Sequence, residues 1–171
     1  AIKRILANTS SKASETEKAG GQVVIAGNTE LTTGANVEAA FNAMWKKCPK
    51  QIRKKAGLVF VCGWDIWDLY DQYLSDKQVK YSDNTKVNEY RFKGKRIVPI
   101  VGIPEHTILL GEFTTGMESN LWMGVDYAND TEVVKVERLQ ANSEFYFFQM
   151  RMKMDVNIVR PAEIVAWTAY K

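Results

Sequence analysis

Positions 148–158 alternate without a break. Phe148, Met150, Met152, Met154, Val156 and Ile158 hold one parity; Gln149, Arg151, Lys153, Asp155 and Asn157 hold the other. Side chains of a strand project to opposite faces with a period of two, so this pattern suits an extended strand and no helix. At about 3.3 Å per residue the segment reaches about 36 Å, well beyond the ~5–6 residues of an average strand. The expectation is one long C-terminal β-strand with its methionine-rich apolar face buried and its charged face in water. Pro161 ends the ladder, because proline has no amide hydrogen to donate, and 163–167 resumes as a short strand.

Two helices precede it, so the predicted class is α+β. Val37, Ala40, Phe41, Met44 and Cys48 recur at the spacing of one helical face. Asn36 is the predicted N-cap, Glu38 sits early, and Lys46 and Lys47 lie in the last turn, where the helix dipole favours cations. Pro49 stops this helix. In 64–75 (WDIWDLYDQYLS) Trp67, Tyr70 and Leu74 form a second stripe, flanked by Ile66 and Tyr73. Between the helices, Leu58–Cys62 is a short apolar run bounded by Gly57 and Gly63, read as a buried strand. Further short strands are predicted near 91–92, 96–101, 106–110, 121–125 and 133–139, with glycine or proline between several of them.

Two stretches lack such periodicity. Residues 1–22 are predicted to be a flexible N-terminal arm or linker, because 9–22 is rich in Ser, Lys, Glu, Ala and Gly and has little to bury. Residues 75–90 (SDKQVKYSDNTKVNEY) read as a long exposed loop. The whole chain has 171 residues, 46% hydrophobic and 11% aromatic, enough for one folded domain and too rich in large side chains for a wholly disordered one. It has no apolar run of about 18 residues and no long apolar leader, so neither a membrane helix nor a signal peptide is expected. It begins at Ala1 rather than Met.

Candidate chemistry is sparse. His106 is the only histidine, so a histidine-dependent mechanism must use it, and no G-x-S-x-G elbow accompanies it. Asp65, Asp68, Asp71 and Asp76 fit the solvated face of a helix better than a metal site. Cys48 and Cys62 with one histidine are too few ligands for structural zinc and match no disulfide framework; two reduced, buried thiols are expected. Phosphate-cradling motifs are absent. No catalytic, cofactor-binding or metal site is therefore assigned. The densest basic run, Lys46, Lys47, Lys50, Arg53, Lys54 and Lys55, suits contact with nucleic-acid phosphates, an acidic neighbouring subunit, or simple solvation, with the last two preferred because no aromatics interleave it. The net charge of +3 implies no polyanion by itself.

The order of these features resembles a known family. Residues 37–76, VEAAFNAMWKKCPKQIRKKAGLVFVCGWDIWDLYDQYLSD, are similar to the middle of tailed-bacteriophage major capsid proteins of the Hong Kong 97 fold, where a helix, a proline turn, an apolar strand and an aromatic-bearing helix follow one another. RFKGKRIVPIVGIP (91–104), HTILLGEFTTGMESNLWMGVD (106–126) and FYFFQMRMKMDVNIVRPAEIVAW (145–167) resemble later passages of the same family, the last through Arg151 or Lys153, Asp155, Pro161 and Ala162. The resemblance spans about 36–171. Such coat proteins are longer, so it implies a truncated or processed subunit. It also implies an axial domain at 58–130 and a peripheral domain at 23–57 and 131–171.

What the resemblance implies is a structural coat subunit that self-assembles into pentamers and hexamers of an icosahedral phage or prophage shell enclosing DNA, with no enzymatic activity and no cofactor. Its partners would be copies of itself, scaffold or portal proteins, and packaged DNA in non-specific contact; no membrane partner is expected. The location would be the virion, and the cytoplasm of the bacterial host before assembly. In the polar loop, Lys77, Lys80, Asp83, Asn84, Lys86 and Glu89 are the expected contacts to neighbours, since mixed charges suit steered association. Two alternatives stand beside this: an encapsulating nanocompartment shell of the same fold, and a small α+β enzyme or ligand-binding domain using His106 with Asp65 and Asp68.

Overall fold

A computed structural model of the chain describes residues 2–8, 22–77, 90–125, 134–138, 140, 144–150 and 153–169. In order these form α1 (Ile2–Asn8), β1 (Val24–Gly27), α2 (Gly34–Lys47), β2 (Leu58–Cys62), α3 (Trp64–Asp76), β3 (Arg91–Phe92), β4 (Lys95–Pro99), β5 (Ile108–Glu112), β6 (Leu121–Val125), β7 (Val134–Arg138), β8 (Tyr146–Met150), β9 (Met154–Ile158), a 3-10 turn (Pro161–Glu163) and β10 (Val165–Trp167). The chain divides into two units: Ala1–Asn120 with Ile158–Lys171, and Leu121–Asn157.

The larger unit is built on a mixed six-stranded sheet in the order β1-β10-β5-β2-β4-β3. All five residues of β2 and of β5 are buried, as befits central strands. β2 runs antiparallel to β5, with Phe60 opposite Leu110, and parallel to β4, with Phe60 opposite Ile97. The α2 stripe lands on this sheet: Val37, Ala40, Phe41, Met44 and Cys48 are all buried, with Leu58, Phe60, Cys62, Ile66, Tyr70, Phe92, Ile108 and Leu110 in the same core. Phe41 is its hub, with ring centroids 5.0 Å from Phe60, 5.3 Å from Tyr70 and 5.4 Å from Phe92, the edge and tilted geometries that aromatic quadrupoles favour.

α2 begins earlier than Asn36. Its N-cap is Thr33, whose Oγ1 accepts the Asn36 amide at 3.4 Å. Asn36 lies inside the first turn, and Gly34 takes the first helical position because α3 comes very close there. A Cβ on Gly34 would lie 2.3 Å from Tyr73 Cβ and 2.7 Å from the Leu69 carbonyl. Close packing outweighs glycine's poor helix propensity at this point. β3 and β4 form a hairpin through Lys93 and Gly94, both with positive φ (49° and 80°), the backbone of a two-residue primed turn.

β1 and α2 share sheet and core with β2 through β5. Two expectations need correction. The flexible arm expected over 1–22 begins with a helix, Ile2–Asn8, whose Ile5 and Leu6 are buried; residues 9–21 lie outside the described residues. The single long strand is two strands. β8 pairs with β7, Phe148 opposite Val136, whereas β9 pairs with β6 in a different two-stranded sheet. Alternation continues across both because each is extended, and period alone does not reveal a change of partner. Its apolar parity is not uniformly buried either: Ile158 is buried, Val156 half-buried, and Phe148 and Met154 exposed.

Candidate interaction surfaces

The smaller unit, Leu121–Asn157, is two-stranded throughout its described part: β6 with β9 and β7 with β8. A two-stranded ribbon has no second layer of its own, so apolar residues on both faces stay in water unless something covers them. Four consecutive aromatics meet this problem at β8. Phe145, Tyr146, Phe147 and Phe148 are 76%, 59%, 48% and 68% exposed. Neighbours in a strand point to opposite faces, so both faces of the ribbon carry aromatic rings. Trp122, Met123, Val125, Val136 and Met154 are exposed in the same unit. Scattered apolar residues are ordinary at a surface; such a concentration marks a surface that meets a partner. The signal was present in the sequence, since four aromatics in a row cannot all face one core.

The basic run folds back toward a second basic segment. Arg53 caps α2: its Nη2 donates to Trp45 O at 2.9 Å and Cys48 O at 3.0 Å, and its Nε donates to Cys48 O at 3.1 Å. Its guanidinium lies 5.5 Å from the centre of the Trp45 ring, and Lys93 Nζ lies 5.9 Å from the same ring. Lys95 Nζ donates to Lys55 O at 2.6 Å. The β3–β4 hairpin is thereby laid along 45–56, and Arg91, Lys95 and Arg96 line an open recess of about 190 Å³ with Ala56, Leu58, Val59 and Gly94. Lys46, Lys47, Lys50, Lys54, Arg91, Lys93 and Arg96 are exposed. Sequence reading singled out the run at 46–55 but not its partners in 91–96, which are about 40 residues away along the chain.

Lys55 has a further tie. Its Nζ donates to Glu112 Oε2 at 2.8 Å, and Glu112 is only 1% exposed. Arg160 Nη2 stands 3.6 Å from the same oxygen, and Arg160 Nε lies 3.1 Å from Glu163 Oε2 and donates to Asn120 Oδ1 at 3.0 Å. Val159 N donates to Asn120 O at 3.0 Å. The buried carboxylate therefore sits between two cations, as a charge out of water must. Arg160 and Val159 hold the chain's return point, near 158, beside its exit point, near 120.

His106 does structural work. Its backbone takes a positive φ of 55°, and its amide donates to Asp65 Oδ2 at 3.1 Å. Its Nδ1 lies 2.9 Å from the Leu31 carbonyl, which accepts when that nitrogen carries the proton. The side chain thus ties the 28–33 segment to the loop before β5. Asp71 accepts from the Tyr90 hydroxyl, and Asp68 and Asp76 are exposed. Among the described residues no group of three His, Cys, Asp or Glu is close enough to hold a metal ion. Cys48 and Cys62 are free and buried. Burial, with the Asp65 carboxylate adding to it, pushes the Cys62 thiol up to about 12, and burial also raises that of Cys48.

Of the expected neighbour contacts, only Lys77 lies among the described residues; Lys80, Asp83, Asn84, Lys86 and Glu89 do not. Lys77 Nζ is 3.4 Å from Glu38 Oε2 and 4.2 Å from the centre of the Tyr73 ring. The Tyr73 hydroxyl donates to Glu38, which holds the Glu38 carboxyl below its ordinary range. Lys77 thus joins α3 to α2 within the chain.

No family model matches the sequence, and no curated protein matches it. A solved structure from Mycobacterium phage Che8 superimposes with a TM-score of 0.60 at 12% identity, over 97% of this chain and 57% of that one. The chain has the Hong Kong 97-like capsid fold. It spans little more than half the length of the Che8 chain. A virus-like particle from Pyrococcus furiosus aligns at a TM-score of 0.47 and 17% identity, over 97% of this chain and 58% of its own. The satellite phage P4 procapsid including size determination (Sid) protein aligns at 0.49 and 16%, over 88% and 42%. Among the described residues no helix is long and apolar enough to cross a membrane.

Proposed function

We propose that the chain is a structural, non-enzymatic shell subunit that packs against copies of itself, in pentamers and hexamers of an icosahedral phage or prophage capsid. The observation that carries this reading is the exposed aromatic run 145–148 at β8, on a unit whose described strands pair only in twos, within a capsid fold. Its apolarity suits a lasting interface rather than a transient one. The distribution of polar groups agrees: the only histidine is spent on tying a loop to the 28–33 segment. Subunits in rings of five or six meet through heterologous contacts, in which one face of a subunit covers a different face of the next.

The test is the particle. Sedimentation and negative-stain electron microscopy of the protein expressed from its complete gene should show closed rings or shells. A species that stays monomeric at every concentration up to the solubility limit would overturn the reading. A cargo enzyme inside the particles, in place of DNA, would assign the shell to a nanocompartment.

A further inference from the structure

The parallel strands β2 and β4 have unlike ends. The segments that lead into and open them, 39–55 and 90–96, hold ten lysines and arginines and no aspartate or glutamate. Glu112 and Glu163 also lie at that end, but Lys55 and Arg160 engage both. Past the other end, 63–70 and 100–107 hold Asp65, Asp68 and Glu105 and no lysine or arginine. That acidic end also shows apolar surface: Trp64 is 50% exposed, Ile100 40% and Val101 82%. The Ile100 amide donates to Cys62 O at 2.9 Å, which sets the 100–102 turn beside Gly63 and Trp64. Gly102 takes a φ of 89°, a backbone suited to glycine, and further along the same loop the His106 amide donates to Asp65 Oδ2. Val101 is thus an apolar knob on a turn fixed at both sides, with Asp68 and Glu105 exposed nearby along the chain.

The basic end offers a matching hole. Leu58, Val59 and Gly94 line the recess of about 190 Å³ together with Arg91, Lys95 and Arg96. A cavity of about 150 Å³ admits a benzene ring, so the isopropyl group of a valine fits here. We infer that the Val101 turn of one subunit seats in the Arg91/Lys95/Arg96 recess of a second copy of this chain. Trp64, a residue type enriched at the energetic centres of interfaces, packs at the margin, and Asp68 and Glu105 face the cations. The two ends are complementary in sign, which steers and orients association. They lie about 13 Å apart along β2, four steps of ~3.3 Å, so a chain does not fill its own recess. Contact between unlike ends is heterologous and repeats from copy to copy. A polyanion could occupy the basic end but would leave the apolar turn in water; a second copy covers both. The contact adds to the self-association proposed above and rests on that reading for its partner.

Sedimentation velocity over a concentration series, in about 100 mM NaCl where charges act over ~10 Å, reads this contact. Val101→Ser shortens the knob at an exposed position and should weaken association about tenfold, with an unchanged circular dichroism melt. Asp68→Lys/Glu105→Lys and Arg91→Glu/Arg96→Glu each bring like charges together and should each weaken association by about tenfold or more. All four reversals in one chain restore opposite signs, and the dissociation constant should return to within about threefold of the parent's, the signature of a direct pairing. A parent that stays monomeric throughout sinks the shell reading and this contact with it. A parent that associates while Val101→Ser associates equally overturns the contact alone. So does a four-fold variant weaker than either half, which would show the two ends meeting different molecules. If a charge-reversed variant fails to fold, Val101→Ser decides by itself.

Discussion

Phe148 offers the sharpest test of the aromatic ribbon. It sits on β8 opposite Val136 of β7 and is 68% exposed. An aromatic side chain brings about 150–250 Å² to an interface, so covering what Phe148 leaves open removes roughly 100–170 Å² from water. At about 25 cal/mol per Å² this contributes about 3 kcal/mol to an association that buries it, or about two orders of magnitude in dissociation constant. Phe148→Thr keeps a β-branched residue on the strand, so the cost to the isolated fold should stay within about 1 kcal/mol. Sedimentation velocity over a concentration series measures the first quantity and urea unfolding the second. The expected outcome is a subunit of nearly unchanged unfolding midpoint that no longer self-associates at concentrations where the parent does. Association equal to the parent's would refute the assignment of this face. A loss of 3 kcal/mol or more in stability with association intact would show that the ring is covered within a single chain, and would refute the premise that β8 lacks a layer.

The core and its ionic tie give further outcomes. Phe41→Ala removes the ring that touches Phe60, Tyr70 and Phe92, and urea unfolding should show a loss of about 3–5 kcal/mol; a loss under 1 kcal/mol would mean that the hub is not packed. Lys55→Met leaves buried Glu112 with Arg160 alone, at 3.6 Å, and should cost about 3 kcal/mol, most of it recovered in Lys55→Met/Glu112→Leu. No recovery in the double variant would show that the pair is not the cause. The Cys62 thiol and the Tyr70 hydroxyl are each pushed up to about 12, chiefly by burial. The folded state therefore holds both protons after the unfolded chain has released them. Stability from this source is complete below about pH 9 and should fall between pH 9 and 12, by about 1.4 kcal/mol per pH unit for each group titrating only in the unfolded chain. Equal unfolding midpoints at pH 9 and pH 11 would contradict that.

The α2 stripe, β2 and the α3 stripe were legible because burial on one side imposes a period that survives in the sequence. The start of α2 was less so: Asn36 and Thr33 are both good caps, and the choice is made by Gly34 meeting Tyr73, a contact 39 residues away along the chain. The long alternating stretch misled for a related reason. Alternation records that a segment is extended and says nothing about whether one partner strand accompanies it throughout, or whether its apolar face meets this chain or another. Of the candidate surfaces, the run 46–55 could be seen as a run. Its union with 91–96 depends on the parallel pairing of β2 with β4, and such non-local pairings leave no local trace.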